Sequence, residues 1–121
     1  MNHINVLYNN DLGIAFKWKK DLTKEEDRVQ LVFKDNGLYL TETELKYFSA
    51  EIKKNYKKAN LCNACIKNKE CNTLLVQSPC PQISFAMNYI DLIKLKDLVE
   101  GTINQVQLKS IFKTLNIQTK S

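Results

Sequence analysis

The chain has 121 residues, enough for one domain with a single modest hydrophobic core. Its composition, 44% hydrophobic and 26% charged, is typical of a globular protein and excludes a low-complexity or fibrous chain. The net charge is +5, but all of the 18 basic residues except Arg28 are lysines. Arginine is the residue favoured for bidentate recognition of bases and phosphates, so this balance favours a solvated lysine-rich surface over a nucleic-acid interface.

The sequence predicts a cytoplasmic protein. Residues 1–10 lack the basic region and apolar run of a signal peptide, and no apolar stretch reaches the roughly 18–20 residues that span a bilayer. Thiols stay reduced in the cytosol, where clustered cysteines favour metal binding over disulfides. In an exported chain, two disulfides would be the leading interpretation.

Alternating apolar residues predict strands in the amino-terminal part of the chain. Residues 4–8 predict an edge strand, and the alternation of 12–18 predicts a second strand. Phe16 and Trp18 share the apolar phase of that strand. We interpret them as core residues, although together with Tyr39 they would also fit an aromatic platform on an open sheet face.

A hairpin followed by a helix is predicted next. Alternation resumes over 29–33, and Asp35-Asn36-Gly37 predicts a turn with positive φ angles before a return strand at 38–40. Thr41 and Glu44 have the spacing of a capping box, which predicts a helix beginning there. The predicted buried face of this helix is Leu45, Phe48, Ile52, Tyr56 and Ala59.

The second half repeats this order. Short strands are predicted at 74–76 and 83–87, with a turn over 78–81 between them. Asn88 and Asp91 predict the start of a second helix that ends near Gly101. A third helix is predicted over 102–116, with Thr102 and Gln105 as its capping box. Its apolar stripe is Leu108, Ile111, Phe112 and Leu115.

The predicted fold is a single α+β domain over 1–121, an antiparallel sheet with two to three helices on one face. A shift of 47 residues superimposes the two halves, which predicts duplicated ββα units at 12–59 and 73–101, joined by a connector at 60–72. The alternative is that any strand followed by a capped amphipathic helix aligns in this way.

Three segments resemble a small bacterial family classed as a domain of unknown function. They read Asn-Asp-Leu-Gly-Ile, Val-Gln-Leu-Val-Phe and Leu-Tyr-Leu-Thr-Glu-Thr-Glu-Leu-Lys-Tyr-Phe, within residues 10–52, and the resemblance returns over 83–99. It implies the hairpin-plus-helix arrangement and a bacterial cytosolic setting. It brings no activity and no functional residues.

Four cysteines lie within nineteen residues, at Cys62, Cys65, Cys71 and Cys80. The C-x-x-C spacing of the first pair lets two sulfurs reach one ion, and a Cys₄ set is common in structural zinc sites. An iron–sulfur cluster would use the same ligands. The segment 53–69 contains lysines and no acidic residue, so it would offset the negative charge of such a site.

Geometry limits this metal site. If residues 71–80 formed one continuous strand, Cys71 and Cys80 would lie about 30 Å apart. With a strand at 74–76, only Cys62, Cys65 and Cys71 can cluster, and Cys80 lies in the turn beyond. Reduced apolar cysteines or a disulfide formed on isolation remain alternatives.

No catalytic arrangement is predicted. A dithiol oxidoreductase places its C-x-x-C at the start of a helix, whereas Cys62 and Cys65 follow one. His3 is the only histidine, so a histidine-based triad or general base is not expected. The sequence also lacks the glycine-rich motifs of nucleotide sites.

We therefore expect a non-catalytic module that binds a protein partner or a copy of itself, since a small antiparallel sheet leaves edge strands open to a partner. The first alternative is a nucleic-acid-binding accessory protein, and the second is a dithiol redox protein. The first alternative would use the lysines around the cysteine segment, namely Lys53, Lys54, Lys57, Lys58, Lys67 and Lys69.

Overall fold

The computed structural model describes residues 4–18, 28–61 and 74–120, with their side chains except at 61 and 113–120. The predicted α+β fold is confirmed. In chain order the elements are β1 (Ile4–Asn9), β2 (Gly13–Trp18), β3 (Val29–Phe33), β4 (Asn36–Leu40), α1 (Glu42–Leu61), β5 (Leu74–Gln77), β6 (Ser84–Met87) and α2 (Tyr89–Lys120).

The strands form two antiparallel sheets. One has four strands in the order β1-β2-β3-β4, and the other is the β5-β6 hairpin. The edge strand predicted at residues 4–8 is confirmed as β1, which carries a bulge between Val6 and Tyr8. Helix α2 packs against β1, β2 and α1, and α1 also packs against β5.

The β3–β4 turn begins one residue before the predicted Asp35-Asn36-Gly37 turn, and it ends at Asp35. Lys34 and Asp35 form it, Lys34 has a φ of 53°, and Asn36 and Gly37 already belong to β4. The predicted positive φ at Gly37 is therefore wrong. The observed register pairs Leu31 with Leu38, whereas a turn at Asn36-Gly37 would have paired Leu31 with residue 42, a glutamate. Pairing of apolar side chains across the strands overrides the local turn preference.

The start of α1 follows the capping-box prediction. The backbone N–H of Glu44 donates to Thr41 Oγ1 at 3.1 Å, and the Thr41 N–H donates to Glu44 Oε1 at 2.9 Å. The predicted apolar face is confirmed, since Leu45, Phe48 and Ile52 are at most 1% exposed. The amphipathic pattern therefore places this face in the core.

Helix α2 runs through the predicted break. Asn88 caps it as expected, since the Asp91 N–H donates to Asn88 Oδ1 at 2.7 Å. The prediction that it ends near Gly101 and that a third helix begins at Thr102 is wrong. Thr102 is fully buried inside the helix, and its hydroxyl donates to the Leu98 carbonyl oxygen at 2.7 Å.

Gly101 is present for a packing reason and not as a helix terminator. A Cβ atom at this position would lie 2.5–2.6 Å from three ring atoms of Tyr8. The Tyr8 hydroxyl donates to both carboxylate oxygens of Asp97, at 2.9 and 3.1 Å. Asn10 also donates to Asp97, at 2.9 Å, so the β1 end of the sheet is held against α2.

The hydrophobic core lies between the four-stranded sheet, the two helices and the β5–β6 hairpin. Phe85 of β6 contacts Phe33 and Phe48 edge-on or tilted, with ring centroids 5.1 and 6.1 Å away. Within the described ranges, no helix has a stretch long and apolar enough to cross a membrane. The fully buried large side chains are Phe33, Phe48, Leu31, Leu45, Ile52, Leu92, Leu95, Leu98, Val29, Val76, Val99 and Thr102.

A capped helix follows a hairpin in each half, but the two hairpins belong to different sheets. The β3–β4 hairpin belongs to the four-stranded sheet, and β5–β6 forms a sheet of its own. The duplication of a ββα unit therefore stays a prediction. Asn60 and Leu61 belong to α1, and the rest of the proposed connector lies outside the described residues.

Candidate functional site

Strand β2 turns its small residues towards the core and its large ones away. Ala15 is fully buried and pairs with Leu31 of the core, whereas Trp18 is 43% exposed. Phe16 is buried but lies outside the core cluster, on the other face of the sheet. The interpretation as a core residue is therefore wrong for Trp18, whereas Phe16 is buried as expected, although outside the main core cluster. Because α2 packs over β2, small residues on that side give the helix room.

The large residues of β2 belong to a wider apolar surface, which we call the outer face. Strand register joins Val6, Phe16, Gln30 and Tyr39 in one row across all four strands. Val6 and Tyr39 are 45% and 41% exposed. The strand residues of the outer face are Ile4, Val6, Asn9, Ile14, Phe16, Trp18, Gln30, Val32, Gly37 and Tyr39.

Polar contacts hold the aromatic rings of this surface in place. The indole N–H of Trp18 donates to Gln30 Oε1 at 3.3 Å, and the Gln30 amide donates to the Leu38 carbonyl oxygen at 3.3 Å. The Trp18 ring meets Phe16 edge-on, with centroids 5.1 Å apart. Rings that are already ordered lose little conformational entropy when a ligand covers them.

Among the described residues, the charged side chain that borders the outer face beside Tyr39 is Arg28. Arg28 lies over the Tyr39 ring, with Cζ 5.8 Å from the ring centroid. Its guanidinium donates to the Tyr39 carbonyl oxygen at 3.0 Å and contacts Glu44 at 3.4 Å. None of the ten outer-face strand residues named above carries a charge. The surface can therefore offer apolar contact with little electrostatic demand.

The cysteine prediction lies mostly outside the described residues, since Cys62, Cys65 and Cys71 fall between 61 and 74. Cys80 is exposed in the β5–β6 turn, with its thiol 3.3 Å from Gln82 Oε1. Residues 74–77 do form a strand, the condition under which we expect Cys80 to lie apart from the other three. Among the described residues, no group of three or more His, Cys, Asp or Glu could hold a metal ion.

Four of the six predicted nucleic-acid-binding lysines lie on α1, and Lys67 and Lys69 lie outside the described residues. All four are exposed. Lys53 pairs with Glu100 at 3.8 Å and Lys54 with Glu51 at 3.2 Å. The four lysines, Lys53, Lys54, Lys57 and Lys58, therefore form a basic stretch that carboxylates partly neutralise.

Two tyrosines have raised pKa values for structural reasons. The hydrogen bond to Asp97 raises the pKa of Tyr8, with burial and the carboxylate charge adding to it. Burial raises the pKa of Tyr89, helped by Tyr56, whose ring stacks on it at 6.2 Å. Both effects keep the hydroxyl protonated, so neither tyrosine is prepared as a base.

Comparison with known proteins finds no matching family model, no matching curated protein and no matching solved structure. The resemblance to a bacterial family of unknown function therefore stays an expectation.

Proposed function

We propose that the protein is a non-catalytic interaction module whose outer face binds an apolar, uncharged segment of a partner protein. The observation that supports this proposal is the exposure of Val6, Trp18 and Tyr39 on a sheet face away from the core. The largest exposed apolar patch on a single domain is often functional. Tryptophan and tyrosine are also among the residues that contribute most to binding energy at interfaces.

The size of the outer face favours a peptide segment over a second copy of the chain. Its four strands, about 4.8 Å apart, and five or so residues per strand at about 3.3 Å cover about 300 Å². A stable dimer buries about 800 Å² on each partner. A short segment lying across the strands matches the smaller area.

The composition of this face does not favour nucleic acid. Stacking of bases needs basic groups beside the exposed rings, but none of the outer-face strand residues named above is charged, and Arg28 at the border already contacts Glu44. The exposed lysines of α1 keep nucleic-acid binding as the alternative function. A dithiol redox role and a zinc or iron–sulfur site formed by the cysteines stay predictions from sequence.

A peptide library displayed on phage, selected against the full chain, tests the proposal. Trp18 is the only tryptophan, so its fluorescence reports directly on occupation of the outer face. We expect selected peptides to be rich in apolar residues and to shift the Trp18 emission to shorter wavelength. Binding should change little between about 50 and 200 mM salt, whereas phosphate contacts weaken steeply over that range.

Two tyrosines of similar exposure provide the matched variants. Tyr39→Ala should weaken binding of labelled selected peptides by at least about tenfold. Tyr47→Ala, on α1 and 48% exposed, should leave it unchanged. Equal affinities for both variants, or selected peptides that leave Trp18 emission unaltered, would overturn the proposal. Binding of single-stranded oligonucleotide that disappears when the six lysines are replaced would support the alternative.

A further inference from the structure

The turn between β5 and β6 gathers four backbone carbonyl oxygens around one side-chain atom. The atom is the amide nitrogen Nε2 of Gln77, the last residue of β5. The carbonyl oxygens of Ser78, Cys80, Pro81 and Ile83 lie 3.1, 3.0, 3.2 and 3.1 Å from it. We call these four oxygens the carbonyl cluster.

Gln77 has too few hydrogens for the carbonyl cluster. A side-chain amide carries two N–H donors, whereas the cluster offers four acceptors. The orientation of the amide is fixed by its surroundings, because the reverse orientation would bring Oε1 against the four oxygens. In the observed orientation the Ser84 hydroxyl donates to Gln77 Oε1 at 3.4 Å. The negative ends of the carbonyl dipoles therefore converge on a point that the amide neutralises only in part.

The turn itself also holds the carbonyl cluster in place. Pro79 and Pro81 have φ angles fixed by their rings. The Ser78 N–H donates to the Ile83 carbonyl oxygen at 3.1 Å, and the Ile83 N–H donates to the Cys80 carbonyl oxygen at 3.0 Å. The Ser78 hydroxyl donates to the same Cys80 oxygen at 2.9 Å and accepts from the Cys80 N–H at 3.0 Å. The direction of these carbonyl groups is therefore not set by Gln77 alone.

Charge and distance identify the kind of ligand that fits the carbonyl cluster. Backbone carbonyl oxygens replace the hydration shell of K⁺ in selective ion sites. Ca²⁺ and Mg²⁺ sites use carboxylates and hold their oxygens at about 2.3–2.6 and 2.0–2.1 Å. The oxygens of the cluster are neutral and lie 3.0–3.2 Å from Gln77 Nε2, which is within the usual range of N–H···O bonds. A large monovalent cation, K⁺ or NH₄⁺, therefore matches both the charge and the size.

We propose that the carbonyl cluster binds K⁺ or NH₄⁺ at the position of Gln77 Nε2, in competition with the amide. Cys80 and Pro81 are exposed, so an ion reaches the cluster from solvent. The displaced amide can turn Oε1 towards the ion and supply a fifth oxygen. The site belongs to the β5–β6 sheet and is independent of the function proposed for the outer face.

The test compares thermal unfolding of the full chain in the chlorides of K⁺, NH₄⁺ and tetramethylammonium at one ionic strength, about 0.15 M. Tetramethylammonium has no N–H group, and its methyl groups keep its charge away from the oxygens. Because the carbonyl oxygens converge only in the folded turn, a bound ion stabilises the native state. We expect Tm to be at least about 2 °C higher in KCl or NH₄Cl than in the tetramethylammonium salt. The larger of the two shifts identifies the preferred ion.

Two glutamate substitutions in the same turn provide the matched variants. Gln77→Glu keeps the size of the side chain but brings a carboxylate without hydrogens against the carbonyl cluster, so it should lower Tm in the tetramethylammonium salt. The same carboxylate is a better ligand for a cation, so the difference in Tm between the K⁺ and tetramethylammonium salts should at least about double. Gln82→Glu adds the same charge at an exposed position outside the cluster and should keep the native difference.

Nuclear magnetic resonance of the native protein locates the ion. Titration with KCl or NH₄Cl should move the side-chain amide signals of Gln77 to saturation, whereas tetramethylammonium chloride should not. This measurement decides the question even where Gln77→Glu does not fold. Equal Tm values in the three salts, equal salt differences for Gln77→Glu and Gln82→Glu, or Gln77 amide signals that no cation moves would each overturn the inference.

Discussion

Replacing Gly101 by alanine tests the continuous α2 helix, because its effect depends on what the glycine does. In a helix interior, alanine is favoured over glycine by about 1 kcal/mol. The added Cβ, however, would lie 2.5 Å from the Tyr8 ring, well inside contact distance. The ring has little freedom to move, since its hydroxyl is held by Asp97 at 2.9 Å.

The magnitude follows from these opposed effects. Inserting a methyl group into a packed contact costs about 1–3 kcal/mol, so Gly101→Ala should destabilise the native protein by about 0–2 kcal/mol. The three atoms nearest to the new Cβ all belong to the Tyr8 ring. In a Tyr8→Ala background the same substitution should therefore stabilise the protein by about 1 kcal/mol, which corresponds to a rise of about 3–6 °C in Tm.

Urea unfolding of the four proteins of this double-mutant cycle measures both effects. A glycine that terminates a helix in the left-handed conformation would make alanine unfavourable in both backgrounds by a similar amount. Destabilisation by Gly101→Ala in the Tyr8→Ala background would therefore refute the continuous helix. A change of sign between the two backgrounds would support it.

Three further results are expected. Ala15→Val should cost about 1–3 kcal/mol in urea unfolding because Ala15 is fully buried, and a stabilising effect would mean that it faces solvent. Because the folded-state pKa of Tyr8 is raised above its ordinary 10.0, its hydrogen bond stabilises the fold below that pH and is lost as pH rises through the raised value. Stability above about pH 10 should thus fall more steeply in the native protein than in Tyr8→Phe. Elemental analysis after reductive purification should show bound zinc or iron that Cys62→Ser removes and Cys80→Ser retains, and four freely titrating thiols without metal would reject the cysteine site.

Local signals in the sequence were sufficient for much of the fold. The alternation of β3 places Val29, Leu31 and Phe33 in the core, and the two helix starts follow their caps at Thr41 and Asn88. These features depend on residues a few positions apart, which the sequence displays directly. For the part of the chain that the structure describes, the number of strands and helices before Gly101 follows from the same signals.

The predictions that are wrong concern features that depend on contacts between residues far apart in the chain. The continuation of α2 through Gly101 depends on Tyr8, which is far away in the chain. The turn at Lys34 depends on which leucines pair across β3 and β4. The phase of β2 depends on which face α2 covers, and a pattern of alternating large and small residues gives no information on this.

The phase of β2 also decides which residues are available for function. Alternate residues of β2 point to opposite faces of the sheet. One face receives Gly13 and Ala15, and the other receives Ile14, Phe16 and Trp18. Because α2 packs against the face with Gly13 and Ala15, the larger side chains of β2 lie on the outer face, outside the main core cluster.

Helix α2 also leaves a large apolar side chain at the surface. Val106 faces the core, while Ile111 lies on another side of the helix and is 54% exposed. A domain without partners would gain no stability from large apolar residues at such positions, and polar residues there would reduce the risk of aggregation. We therefore expect binding to depend on apolar residues that the sequence pattern assigns to the core but that lie at the surface of the fold.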